Sequence, residues 1–140
     1  FIRDQIKKIK AHGFKRSLRI YSEFQGNGKD EFFMNIDIMS VPVRKYDAYG
    51  LYVLEANAAG VAVVQPATGA FREILEKTGG GIIYSPDNTE ELTAGLIKLL
   101  NDNSLRKSLG ETGRINVRKE LNLERMSEGL SVVYNRVLSK

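Results

Sequence analysis

Two acidic residues, Asp47 and Glu55, stand on either side of the pair Tyr49-Gly50 in this chain. Gly50 precedes an apolar run that predicts a helix over 51–59. The backbone N–H groups at the start of a helix attract anions, and carboxylates accept hydrogen bonds from hydroxyl groups. This arrangement predicts a site for a phosphate group or for a cluster of sugar hydroxyls.

Glu55 is the one charged residue between Ala48 and Phe71. An ionised carboxylate inside an apolar helix is costly unless a hydrogen bond compensates it, so Glu55 needs a partner. That partner is either a cation such as Arg44 or Lys45 in a structural ion pair, or a ligand. Glu55 lies only about one turn into the predicted helix, at about 1.5 Å per residue, so its side chain can face a crevice.

Helical and strand-like patterns alternate along the chain, which predicts right-handed β-α-β units and an α/β fold. We expect a three-layer, Rossmann-like parallel sheet with helices on both faces. Ligands of such sheets bind at the carboxyl ends of the strands, where the loops 43–50 and 65–70 must lie. The predicted helices are 1–12, 30–34, 51–59, 70–77, 89–101, 104–118 and 122–138, and the predicted strands are 18–24, 36–42, 61–64 and 82–84.

Other polar residues have structural interpretations. Asn88 with Glu91 three residues later is typical of a helix N-terminal capping box, and Glu73 is expected to interact with the dipole of its helix. His12 is expected to have a surface or capping role, because no other histidine and no cysteine is present to share a metal. Asp37 is expected to be a polar residue at a strand end. No metal site is predicted.

The composition, with 42% hydrophobic and 27% charged residues, is that of a globular domain, and no apolar stretch approaches the roughly 20 residues of a membrane span. The absence of cysteine excludes disulfides and thiol catalysis and fits a reducing compartment, so the cytoplasm is the default expectation. The net charge of +4 is spread over predicted helices, so nucleic acid is not an expected partner. The amphipathic pattern begins directly at Phe1, which suggests a start in mid-fold.

The segment 47–64, DAYGLYVLEANAAGVAVV, resembles the E-x-F-G-x-x-x-x-E-A-x-A-x-G-x-P-V-V signature of retaining GT-B glycosyltransferases, as in glycosyltransferase family 4. The similarity continues through 68–73 and 81–86 and covers most of the chain from about Leu18 onward. It implies that residues 1–140 are a single nucleotide-sugar-binding domain, the C-terminal domain of a larger two-domain GT-B protein, lacking its first strand.

The resemblance implies an enzyme that moves a sugar from a nucleotide-sugar to a hydroxyl acceptor with retention, as in cell-surface polysaccharide or glycoconjugate synthesis. No metal or other cofactor is required for that reaction. The acceptor, a glycan or another hydroxyl compound, would bind through the missing N-terminal domain, so the 140 residues alone are expected to be inactive. Association of the full-length protein with the inner face of the membrane is left open.

Carried over residue by residue, the resemblance places Asp47 at the hydroxyls of the donor sugar, as the candidate catalytic residue. The backbone of Tyr49, Gly50 and Leu51 is placed at the sugar and diphosphate, and Glu55 at the ribose. Asp47 replaces the usual glutamate and is one methylene shorter, which leaves the donor sugar open. Asp47 can also cap the helix.

Three other classes of protein remain open. A non-catalytic nucleotide-sugar-binding subunit and a GT-B-like sugar epimerase share this architecture and differ in the other domain. A receiver-like signalling domain is less favoured, because it needs paired acids after its first strand and a facing lysine, and this sequence lacks that arrangement.

Overall fold

A computed structural model describes residues 2–14, 17–21, 28–43 and 48–139 of this protein. Within these residues the helices are α1 (Ile2–Ala11), α2 (Gly28–Met34), α3 (Leu51–Ala58), α4 (Phe71–Thr78), α5 (Thr89–Asn101), α6 (Asn103–Glu120) and α7 (Leu123–Leu138). The strands are β1 (Ile38–Met39), β2 (Ala62–Pro66) and β3 (Gly81–Tyr84).

The three strands form a parallel sheet in the order β1-β2-β3. The central strand β2 is buried along its whole length, as expected for a parallel strand that is covered on both faces. Val63 packs with side chains of α3 and α4, whereas Val64 packs with Leu99 of α5. The prediction of a parallel sheet between two layers of helices is therefore confirmed.

Helix α6 crosses the amino ends of the strands. Its Gly110 lies against Gly60, which precedes β2, and its Gly113 lies against Gly80, which precedes β3. A buried hydrogen-bond network lies at the same end of the sheet: Asn57 Nδ2 donates to Gly80 O at 3.0 Å, and Thr78 Oγ1 donates to Asn57 Oδ1 at 2.8 Å. Because α6 covers this end, the carboxyl ends of the strands remain as the place for a site.

The helix predictions agree with the structure to within about two residues at each end. Asn88 caps α5 as expected, since its Oδ1 accepts a hydrogen bond from Glu91 N–H at 3.0 Å. The Glu91 carboxylate accepts a hydrogen bond from Ser85 N–H at 2.6 Å, and this bond holds the pKa of Glu91 below its usual value. The turn between β3 and α5 is thus fixed by its own residues.

The predicted strand 18–24 is wrong over the residues described. Leu18 to Tyr21 form no strand, and 22–24 lie outside the described residues. Ile20 and Tyr21 are exposed, and among the described residues β1 pairs only with β2. An alternating pattern becomes a strand only where a neighbouring strand supplies hydrogen bonds.

Candidate functional site

The candidate site lies at the carboxyl ends of the three strands. Since the strands are parallel, the segments that follow β1, β2 and β3 meet at one edge of the sheet. The segment after β2 is held in place by Ala67 N–H, which donates to Tyr84 O at 2.8 Å, and it leads into α4 through a turn closed by Phe71 N–H and Thr68 O at 3.2 Å. This is the edge at which a ligand was expected.

The start of α3 depends on Gly50. This residue has a left-handed backbone with φ of 60°, and a Cβ atom there would lie 2.8 Å from Ile74 Cδ1 and 3.1 Å from Phe71 Cδ1. The first turn of α3 therefore packs directly on α4. The side chains of Tyr49 and Leu51, on either side of Gly50, are exposed, so this helix start lies at the surface. Its contact with a diphosphate remains a prediction.

Gly50→Ala is expected to lower the free energy of unfolding by about 2 kcal/mol. The added methyl group would overlap with Ile74, and alanine is strained in the left-handed backbone conformation of this position. Gly13→Ala is the matched control, since Gly13 has φ of +85° and nothing lies within 4 Å of its Cβ position. Urea unfolding of both variants separates the overlap from the backbone strain. Equal losses in the two variants would show that the contact with α4 is unimportant.

Glu55 is less buried than the sequence suggests. Its side chain is 38% exposed, and Oε1 lies 2.6 Å from Nζ of Lys29, which belongs to α2 and is 48% exposed. The expectation of a buried carboxylate is therefore corrected, and the buried polar residue of this helix is Asn57. Lys29 was not predicted as the partner of Glu55.

The alternative ion-pair partners Arg44 and Lys45 lie outside the described residues, and so does the candidate catalytic residue Asp47. The role of Asp47 thus stays a prediction from the sequence. Among the residues that the structure describes, Lys29 is the one that donates a hydrogen bond to the Glu55 carboxylate. Exposed ion pairs of this kind contribute at most about 1 kcal/mol, so Lys29 leaves this carboxylate available to accept hydrogen bonds from a ligand.

A cavity of about 460 Å³ opens at the same edge of the sheet, and sequence reasoning did not predict it. One wall comes from Pro42 and Val43 after β1, and the other comes from the end of β3 and the start of α5. Burial raises the pKa of the Tyr84 phenol, and the charge of Asp87 raises that pKa further. The parallel topology brings these segments, which are distant in sequence, to the same edge of the sheet, and it is the feature from which this cavity could have been expected. The lining residues are Pro42, Val43, Tyr84, Asp87, Asn88, Thr89 and Leu92.

The interpretation of His12 as a capping residue agrees with the structure, because its Nδ1 lies 2.8 Å from Lys8 O at the end of α1. The described part of the chain contains no cluster of three or more His, Cys, Asp or Glu residues that could hold a metal ion. Over the same residues, no helix is long and apolar enough to cross a membrane.

Residues 3–116 match the model of the family described as glycosyl transferases group 1. The chain belongs to this family. The matched range includes β1, α3 and the candidate ribose-binding residue Glu55, so the site described above lies in the shared part of the chain.

Named relatives of this group 1 chain include two mannosyltransferases. The phosphatidyl-myo-inositol mannosyltransferase of Mycolicibacterium smegmatis is 29% identical over 105 residues, which is 75% of this chain and 26% of the relative. The lipopolysaccharide core biosynthesis mannosyltransferase LpcC of Rhizobium leguminosarum bv. viciae is 29% identical over 107 residues, 76% of this chain and 30% of the relative. The chain therefore spans about a quarter to a third of the length of these proteins.

Solved structures show the same fold. The structure of Anabaena HepE in complex with UDP superimposes with a TM-score of 0.81 at 15% sequence identity, covering 94% of this chain and 37% of that protein. At this identity the comparison concerns the fold, and it confirms the Rossmann-like domain of the GT-B type.

Proposed function

We propose that this chain is the donor-binding domain of a larger, two-domain glycosyltransferase that moves a sugar from a nucleotide-sugar to a hydroxyl acceptor with retention. Membership of the group 1 family supports glycosyl transfer, and the UDP in the HepE structure supports a nucleotide-sugar donor. The similarity to a phosphatidyl-myo-inositol mannosyltransferase and to a lipopolysaccharide core mannosyltransferase favours acceptors in glycolipid or cell-surface glycan synthesis.

The observation that carries this proposal is the carboxylate of Glu55. It lies in the first turns of α3, it is partly exposed, and Lys29 is the one described residue that donates to it. A carboxylate in this state can accept two hydrogen bonds from the vicinal hydroxyls of a ribose. Such charge-assisted bonds are about twice as strong as neutral ones.

The other roles are those that the resemblance of segment 47–64 to the GT-B signature implies. The backbone of Tyr49, Gly50 and Leu51, at the start of α3, would contact the sugar and diphosphate with the positive end of the helix dipole. Asp47 would contact the sugar hydroxyls. The catalytic effect would come mainly from positive groups that stabilise the leaving diphosphate, supplied largely by the rest of the protein.

The proposal requires no metal ion and no other cofactor, because positive side chains and helix N–H groups carry the diphosphate charge. The proposal keeps the cytoplasm as the default location of the enzyme, since the absence of cysteine from these 140 residues fits a reducing compartment. The 140 residues alone would bind the donor weakly and would not catalyse transfer.

The test is to incubate the full-length protein with UDP-, GDP- and ADP-sugars and to follow sugar release or transfer by proton NMR. At least one donor is expected to react, the product is expected to keep the anomeric configuration of the donor, and EDTA is expected to leave the rate unchanged. An inverted product would contradict retention. Binding without any turnover would favour a non-catalytic nucleotide-sugar-binding subunit instead.

A further inference from the structure

Gln65 is a fully buried amide near the carboxyl end of the apolar strand β2. Nothing in the proposed function uses this residue. A buried amide is costly unless its N–H and C=O groups are both hydrogen-bonded, so its partners indicate what it stabilises.

The partner of Gln65 is the main chain just after β1. In the amide orientation that satisfies both groups, Gln65 Nε2 donates to Val41 O at 3.0 Å and Oε1 accepts from Val41 N–H at 3.3 Å. Both polar ends of the side chain are therefore bound to a single residue. Ser40 adds a third bond, because its Oγ donates to Val64 O at 2.7 Å.

These bonds continue the sheet beyond the point where its backbone pairing stops. Met39 is level with Val63 in the register of β1 and β2, so the same register brings Val41 level with Gln65. Backbone pairing ends after Met39, and at the next two positions the side chains of Ser40 and Gln65 supply the hydrogen bonds between the two segments. Val43 N–H then donates to Val41 O at 2.8 Å across Pro42, which has no N–H of its own.

The path of the segment after β1 is thus coupled to Gln65. If this segment moved, the buried amide would lose both partners, and a buried polar group without a partner is costly. The residues held in this way, Pro42 and Val43, form one wall of the cavity at the carboxyl edge. Asp47, expected at the donor sugar, follows four positions after Val43 in the sequence.

We propose that Gln65 is a positioning residue for the donor sugar, acting through the main chain of Val41 to fix the segment that leads from β1 to the sugar site. The inference rests on the proposed function. The nucleoside diphosphate is expected to be held by α3, at Gly50 and Glu55. Substitution of Gln65 should therefore change the position of the donor sugar and the rate of turnover, and leave the affinity for the nucleoside diphosphate nearly unchanged.

The test compares Gln65→Met, which keeps the size of the side chain and removes both hydrogen bonds, with Thr78→Val in the full-length protein. Thr78 is also fully buried, and its bond to Asn57 lies at the amino end of the sheet, away from the site. The measurements are kcat and KM for the UDP-, GDP- or ADP-sugar that the wild type turns over, Kd for the matching UDP, GDP or ADP, and unfolding in urea.

Gln65→Met is expected to lower kcat/KM by about 10-fold while the Kd of the nucleoside diphosphate changes less than about 2-fold. Thr78→Val is expected to lose similar stability and to keep its kcat/KM. Gln65→Leu also removes both bonds and introduces no charge at this buried position, so the same pattern is expected for it. If Gln65→Met does not fold, the same measurements on Gln65→Leu decide the question.

Wild-type kcat/KM in Gln65→Met, or equal losses of kcat/KM and nucleotide affinity, would overturn the role of Gln65 while leaving the proposed function standing. A wild-type protein that binds no nucleotide-sugar would overturn the proposed function itself, and this inference with it. The two failures are therefore distinguishable by the behaviour of the wild type.

Discussion

Glu55→Ala in the full-length protein is expected to weaken nucleoside diphosphate binding by roughly 100-fold. The substitution removes a carboxylate that we expect to accept two hydrogen bonds from the ribose, and two charge-assisted bonds are worth about 3 kcal/mol or more. The stability of the protein should change little, because the ion pair with Lys29 is exposed on both sides. Isothermal titration calorimetry measures the affinity directly.

Two control variants separate ribose binding from other effects of this change. Lys29→Met removes the ion pair and leaves the Glu55 carboxylate, so its affinity should stay within a few-fold of the wild type. Glu76→Ala removes one negative charge from an exposed helix position and should leave the affinity unchanged. Equal affinity of wild type and Glu55→Ala would refute the ribose assignment and leave Glu55 with a structural ion pair alone.

Gly110→Ala is expected to lower the free energy of unfolding by about 4 kcal/mol, among the largest losses that a single added methyl group produces. A Cβ atom at Gly110 would collide with the carbonyl oxygen of Gly60, and backbone cannot move aside as a flexible side chain can. Helix α6 would have to shift away from the amino ends of the strands. Urea unfolding followed by circular dichroism measures the loss.

Gly129→Ala is the matched control, because Gly129 also lies inside a helix and nothing is within 4 Å of its Cβ position. Alanine favours helix over glycine by up to about 1 kcal/mol, so this variant should be as stable as the wild type or slightly more stable. A comparable loss in both variants would show that the close approach of α6 does not limit stability.

Most helices of this fold were predictable from local signals. The cap at Asn88 and the periodicity that follows it predicted 89–101, and α5 is Thr89–Asn101. Such signals involve residues within one or two turns of each other, so they can be read from the sequence alone.

The errors concern contacts between distant parts of the chain. The segment from Leu18 alternates like a strand, yet no described strand pairs with it, and pairing cannot be read from the segment itself. Lys29 meets Glu55 across 26 positions of sequence, and Gln65 meets Val41 across 24. These long-range contacts shape the site, and the sequence offered no local pattern for them.

Glu55 shows what the sequence could and could not predict about the site. Its position in an ordered motif identified it as a candidate ribose-binding residue, which remains a prediction. The apolar composition of its helix suggested burial, but the helix turns this side chain toward the surface and buries Asn57 instead. Which face of a short, largely apolar helix is covered depends on packing with α4 and α6, which composition does not reveal.

The most direct test of the proposed site is a crystal structure of the full-length protein with a nucleoside diphosphate. The proposal predicts that the ribose hydroxyl oxygens lie within hydrogen-bond distance, about 2.5 to 3.0 Å, of the Glu55 carboxylate, with the diphosphate at the start of α3 near Gly50. A nucleotide bound away from the carboxyl edge of the sheet, with Glu55 still paired only to Lys29, would contradict it.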